Sequence, residues 1–159
     1  MITVRPYAMA DAATCADILT LAGRAAFGAS AWPVHDVAAF LSVTQDETIL
    51  VAERDGVVIG FAAVYAGQAP DNFLHHLYVH PAASGQGAGT LLLAAVVAQF
   101  GPRLSLKVQV SNTRARRFYA CAGWVEDSHD TGTDQIGRWI RMHCWYCDKS
   151  SHSRCRDNV

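Results

Sequence analysis

Residues 73–110 read FLHHLYVHPAASGQGAGTLLLAAVVAQFGPRLSLKVQV, a strand, a glycine loop, a helix and a second strand in succession. Phe73 to Val79 is apolar and β-rich, and Pro81 to Gly89 is built from Gly, Ala and Ser. Thr90 to Phe100 is an apolar helical run ending before Gly101-Pro102, and Leu104 to Val110 alternates Leu, Leu, Val, Val with Ser, Lys, Gln. That order predicts a βαβ unit with parallel strands and a right-handed crossover. Its loop, Ser84-Gly85-Gln86-Gly87-Ala88-Gly89-Thr90, has glycines at alternate positions. Backbone N–H groups are unobstructed there and stand at the positive end of the following helix, which suits a phosphate or pyrophosphate. A tight strand-to-helix turn is the plainer reading of the same glycines. A Walker loop would need Lys before Thr90. A dinucleotide pattern begun at Gly85 would put its third glycine at Thr90, and the next strand has no terminal acidic residue for a ribose.

Outward from this unit, Ile2 to Tyr7 reads as a strand and Ala10 to Ala26 as an Ala-rich helix with Asp11 near its start. Phe27 to Pro33 is a loop, and His35 to Val43 a short helix. Ile49 to Glu53 and Val57 to Tyr65 flank Asp55-Gly56, a hairpin signal that predicts antiparallel neighbours. Asn112 to about Ala122 reads as a helix stopped by Gly123. Trp124 to Asp127 and Arg138 to Tyr146 read as a closing hairpin. Without repeats or linkers, residues 1–146 form one α/β domain with a mixed sheet, and the Ser-rich residues 147–159 a flexible tail.

The chain has 159 residues, 51% hydrophobic and 17% charged, enough for one well-filled core. Its net charge of -1 removes the general attraction expected of a nucleic-acid or anionic-membrane binder. Residues 1–100 carry 3 basic and 8 acidic side chains, and residues 101–159 carry 10 basic and 6 acidic ones. The C-terminal part is therefore the better home for an anion. The longest apolar run, Leu91 to Ala98, is too short to span a bilayer, and the N-terminus does not resemble a signal peptide. These features predict a cytoplasmic protein with reduced thiols.

Two motifs carry a family resemblance. Leu77-Tyr78-Val79-His80-Pro81 with Gly85-Gln86-Gly87-Ala88-Gly89 and an apolar helix resembles the acetyl-CoA motif of the GCN5-related N-acetyltransferases (GNAT). Asn112-Thr113-Arg114-Ala115-Arg116-Arg117-Phe118-Tyr119 with Gly123-Trp124 looks like that family's second signature. The resemblance covers roughly residues 2–146. It implies a mostly antiparallel sheet with a central parallel pair and helices on both faces, and direct acetyl transfer from acetyl-CoA to a primary amine, such as that of a small molecule. A protein lysine or N-terminus is the alternative acceptor, and a non-catalytic acyl-CoA-binding module the alternative class. A homodimer is an analogy only.

The resemblance also implies roles. Backbone groups of Leu77, Tyr78 and Val79 would pair with the pantetheine arm. The loop from Gly85 through Gln86, Gly87, Ala88, Gly89 and Thr90 would hold the pyrophosphate, and Asn112, Arg114 and Arg117 would add contacts. Arg114, Arg116 and Arg117 cannot all point one way, so at least one belongs to a solvated face. Tyr119 matches the family's general acid. Two positions depart from the pattern: Ser84 stands where Arg or Gln is usual, and Phe73 where many members have a glutamate base. Strand alternation places Phe73, His75 and Leu77 on one face, which makes His75 the candidate base, with the reference imidazole pKa near 6.5 suited to neutral pH. His76 and an ordered water compete for the role. The family's acceptor region points to Phe27, Trp32, His35 and Asp36 on one side and Asp127, His129, Asp130 and Asp134 on the other, of which Phe27, Trp32 and Asp130 are the candidate substrate contacts for a cationic amine. Cys144, Cys147, His152 and Cys155 have a spacing that could hold zinc, but the last interval is tight and the surroundings Ser-rich, so no metal is expected.

Overall fold

The computed structural model of the protein describes residues 1–67, 71–101 and 103–144. Its strands are β1 (Ile2–Pro6), β2 (Thr48–Arg54), β3 (Val57–Tyr65), β4 (Asn72–Val79), β5 (Leu104–Gln109), β6 (Val125–Thr133) and β7 (Arg138–His143). They form one sheet in the order β1-β2-β3-β4-β5-β7-β6. Only β4 and β5 run parallel, as the strand–loop–helix–strand reading requires. The β2–β3 turn takes positive φ at Asp55 (53°) and Gly56 (77°), the backbone that the Asp-Gly pair favours.

Helices α1 (Ala12–Phe27) and α2 (Val37–Val43) cover one face, packing around Phe40, Val51 and Phe61. Helices α3 (Ala88–Phe100) and α4 (Thr113–Cys121) cover the other, where Leu92, Leu106, Met142 and Trp124 are buried. Two of the predicted helices begin two residues late. Asp11 is spent before α1, taking Arg5 and the Ala8 amide, and Asp36 caps α2 by accepting from Ala39 N at 2.8 Å. The closing hairpin is longer than predicted on its first side. β6 extends through polar residues to Thr133 because an edge strand can leave its side chains in water.

Two irregularities in β4 create the site. Opposite β3, Ala63 pairs with His76 but Val64 pairs with Leu74, so His75 is an extra, bulged residue. The alternation expected for this strand breaks there. Phe73, His75, His76 and Tyr78 share the α1/α2 side, while Leu74, Leu77 and Val79 pack towards α3. The expected grouping of Phe73, His75 and Leu77 is therefore corrected by the bulge. Opposite β5, pairing lasts only for Asn72 with Leu104 and Phe73 with Ser105. Beyond them the strands part and leave a cleft open towards their carboxyl ends.

Cys15 is buried in the α1 core, which pushes its thiol up to about 12. Cys121 is disulfide-bonded, so the expectation of reduced thiols does not hold there. Cys147, His152, Cys155, the domain limit at 146 and the tail lie outside the described residues. Among the described residues no helix is long and apolar enough to cross a membrane.

Candidate functional site

At the cleft's open end, the loop rises from β4 through a short turn (Pro81–Ala83) in which Ala82 N donates to His80 Nδ1 at 3.1 Å. Gly85 and Gly87 take φ of 76° and 93°, and a Cβ on Gly87 would meet nothing within 4 Å. Gly87 is the N-cap of α3 and has no side chain to cap with. The amides of Ala88, Gly89 and Thr90 precede the first intrahelical bond, from Leu91 N to Gly87 O at 3.1 Å, so they face outward as donors. Ser84 accepts from Arg114 Nη2 at 2.5 Å, and Arg54 bonds to Gln86, so the loop is tied to α4 and to β2.

The second motif resolves into separate roles. Asn112 caps α4, accepting from Ala115 N at 3.1 Å. Arg116 is held by Glu126 at 2.7 Å and by Val110 O at 3.0 Å, while Arg114 and Arg117 are exposed. Tyr119 is buried between α4 and the sheet, its ring 5.7 Å from Trp124. Burial, and to a lesser extent the nearby Tyr78, holds its phenol well above the usual range, so it stays protonated at neutral pH. Burial likewise pushes Tyr78 up to about 12.

On the α1/α2 side of β4, His75 Nδ1 is hydrogen-bonded to Glu47 Oε1, and the Glu47 side chain is only 4% exposed. A carboxylate only accepts, so Nδ1 is the donor of this pair and Nε2 is the ring nitrogen left for another partner. His75 itself is 43% exposed. His76 is buried beside it, with ring centroids 3.9 Å apart and its Nε2 3.3 Å from Val43 O. Burial and the neighbouring His75 lower its pKa to about 3, so it is neutral. Of the two histidines, only His75 can reach a ligand and take a proton. Glu47, His75 and His76 also bring donor atoms within 4.8 Å of one another, a set that could receive a metal ion, although the Glu47–His75 contact is already closed. Glu47 carries no motif signal in the sequence. Chain folding alone sets this residue, just before β2, beside a strand 28 positions away.

The acceptor candidates divide. Phe27 and Trp32 form an aromatic wall, 5.4 Å apart between centroids, and Trp32 reaches Tyr78 at 6.2 Å. Trp32 is fixed there by Nε1 donating to Leu19 O at 3.0 Å. His35 and Asp36 serve the loop and the α2 cap. Across the sheet the acids are engaged: Asp127 with His129 N and His143, Asp134 with Gln109 and the β6–β7 turn, and Asp130 with Arg141 Nε at 3.0 Å. Between the two sides stand residues that carried no motif signal. Lys107 Nζ lies 4.3 Å over the Trp139 ring, and the Arg141 guanidinium 5.6 Å over Phe73.

These groups fit acetyl-CoA. Among the described residues, the backbone groups of residues 74–79 that point away from β3 have no strand partners and face the cleft, and the uncapped amides of α3 stand at its outer end. An extended arm with amide groups and a pyrophosphate would satisfy both.

The comparisons with known proteins agree. A family model described as Acetyltransferase (GNAT) family matches residues 15–124. An uncharacterised N-acetyltransferase of Mycobacterium tuberculosis is 39% identical over 80 residues, which is 48% of this chain and 51% of that protein. The match thus spans about half the length of the curated relative. Among solved structures, a GCN5-related N-acetyltransferase from Rhodopseudomonas palustris is 27% identical with a TM-score of 0.72, covering 88% of this chain and 92% of that one. An N-acetyltransferase from Thermoplasma acidophilum in complex with coenzyme A is 17% identical with a TM-score of 0.71, covering 89% and 98%.

Proposed function

Because the chain belongs to the acetyltransferase (GNAT) family, we propose that it is an N-acetyltransferase moving the acetyl group of acetyl-CoA directly to the primary amine of a small molecule. The observation that carries this reading is the cleft between β4 and β5, with Glu47-bound His75 beside its closed end and a protonated Tyr119 in its α4 wall.

Bound acetyl-CoA supplies an activated acetyl group on a good leaving sulfur. The loop amides from Gln86 to Thr90 bind its pyrophosphate, Arg114 and Arg117 add positive charge nearby, and the cleft edge of Leu77, Tyr78 and Val79 orients its arm. His75 accepts the amine proton at Nε2, while Glu47 fixes the ring and its tautomer. Tyr119 releases its proton towards the leaving sulfur. The aromatic wall of Phe27, Trp32 and Tyr78 keeps water from the acceptor.

The test is CoA release, measured by chromatography because the cysteines would confound a thiol dye, over a panel of amines, amino acids and peptides. Turnover is expected, with His75→Ala lowering kcat by about 10²-fold or more and Tyr119→Phe by about tenfold or more. Acetyl-CoA binding without turnover on any acceptor would overturn catalysis in favour of a binding module. Turnover confined to peptides would move the acceptor from small molecules to proteins.

A further inference from the structure

We infer that the acceptor is an amine carrying a carboxylate, an amino acid of small size, whose carboxylate is held by Lys107 and Arg141. This rests on the acetyltransferase reading of the site and names the substrate class that the reading leaves open.

The sheet register brings two cations side by side. Lys107 on β5 is directly opposite Arg141 on β7, so both side chains leave the same face from neighbouring positions. Like charges at such a pair repel. Asp130 answers only Arg141, through Nε, and Arg141 Nη1 reaches Ser105 Oγ at 3.4 Å. Arg141 Nη2 has no protein acceptor among the described residues, and Lys107 has no acidic partner there, only the Trp139 ring beneath it. Two cations thus stand over an aromatic floor with one carboxylate, which engages Arg141 alone. A second carboxylate would complete the set, accepting from the Arg141 fork and from Lys107.

The position of the pair ties that ligand to the site. The parallel register couples Phe73 to Ser105, and just beyond this last pair β4 bulges at His75 while β5 continues to Lys107. The Phe73 ring adjoins both groups, 5.6 Å from the His75 ring and 5.6 Å from the Arg141 guanidinium. An acceptor lying over Phe73 would thus have its amine towards His75 Nε2 and its anion towards the cation pair. An α-amino acid keeps its nitrogen about 2.5 Å from its carboxyl carbon, which makes it the compact form of such a ligand. The acids predicted to receive a cationic amine are already paired. What this wall offers a ligand is positive charge, so a polyamine is disfavoured.

The experiment compares amino acids with their amides in the CoA-release assay, so that the amine and the bulk stay the same and only the carboxylate is lost. The acids are expected to show at least tenfold higher kcat/KM, and Lys107→Gln to shrink the acid-to-amide ratio at least tenfold, chiefly through KM. Lys107→Glu is expected to invert the preference. Equal or faster turnover of amides, or an unchanged ratio in Lys107→Gln, overturns the inference and leaves the acetyltransferase reading standing. If no amine is turned over, the acetyltransferase reading fails. Calorimetric titration of the CoA-saturated protein with the same amino acids then decides this site alone: binding lost in Lys107→Gln supports it, and no binding overturns it.

Discussion

In the mechanism we propose, Glu47 and His75 supply a base where the strand position expected to carry one holds a phenyl ring. The carboxylate then comes from another segment and acts on the imidazole instead of on the amine. Replacing Glu47 with Gln keeps the shape and a hydrogen bond but removes the obligate acceptor that fixes the tautomer. We expect kcat to fall by about tenfold or more with KM for acetyl-CoA unchanged, measured by steady-state kinetics. His76 makes a different prediction, about stability. Its native pKa of about 3 lies below the unfolded value near 6.5, so between those pH values only the unfolded chain binds the proton. Stability is therefore lost as pH falls through that window, by about 2 kcal/mol at pH 5 relative to pH 8. Urea unfolding at the two pH values measures the loss. His76→Leu should reduce the pH dependence by a similar amount, and an unchanged dependence would place the titration elsewhere. The faces of these two histidines could not be read from sequence, because alternation assigns faces only while a strand stays regular. The position of Tyr119 could be, since it follows from a local motif along one helix.

Among the elements, α3 and α4 were the most legible. Glycine, an apolar run and an Asn are local signals. The helix read from Asn112 starts there with Asn112 as its cap, while α3 begins at Ala88, two residues before the expected Thr90, because Gly87 is its N-cap. The length of β6 was not legible, because an exposed edge strand needs neither apolar residues nor alternation. Helix termini hold the glycine loop and Tyr119 in place, which can be tested directly. Asn112→Ala removes the α4 cap and should cost about 1 kcal/mol in urea unfolding, with a lower kcat because Tyr119 stands on that helix. Gly87→Ala meets no steric obstacle, but its φ of 93° is unfavourable for a residue with a Cβ. A cost of about 1–2 kcal/mol would reshape the loop, seen as a higher KM for acetyl-CoA with the acceptor KM unchanged.

Across the whole molecule, the acidic and basic halves of the sequence meet at the cleft. β1 to β4 come from the acid-rich first hundred residues, and β5 to β7 from the base-rich remainder. The charge count points to an anion in the second half, and the Lys107–Arg141 pair is where we propose that one binds. The core beneath is shared by both halves. Leu92 on α3 is fully buried, so Leu92→Ala should cost about 2–5 kcal/mol in urea unfolding while leaving KM for the acceptor unchanged. The extra residue in β4 also gives this strand a parity. Removing His75 would leave Phe73, Leu74, His76, Leu77, Tyr78 and Val79 in strict alternation, each on the face it has now. Deleting a regular residue such as Leu77 has the opposite effect, because His76 and Tyr78 would then have to take opposite faces. A one-residue deletion in this strand is thus silent for packing at His75 and exchanges inside for outside at Leu77.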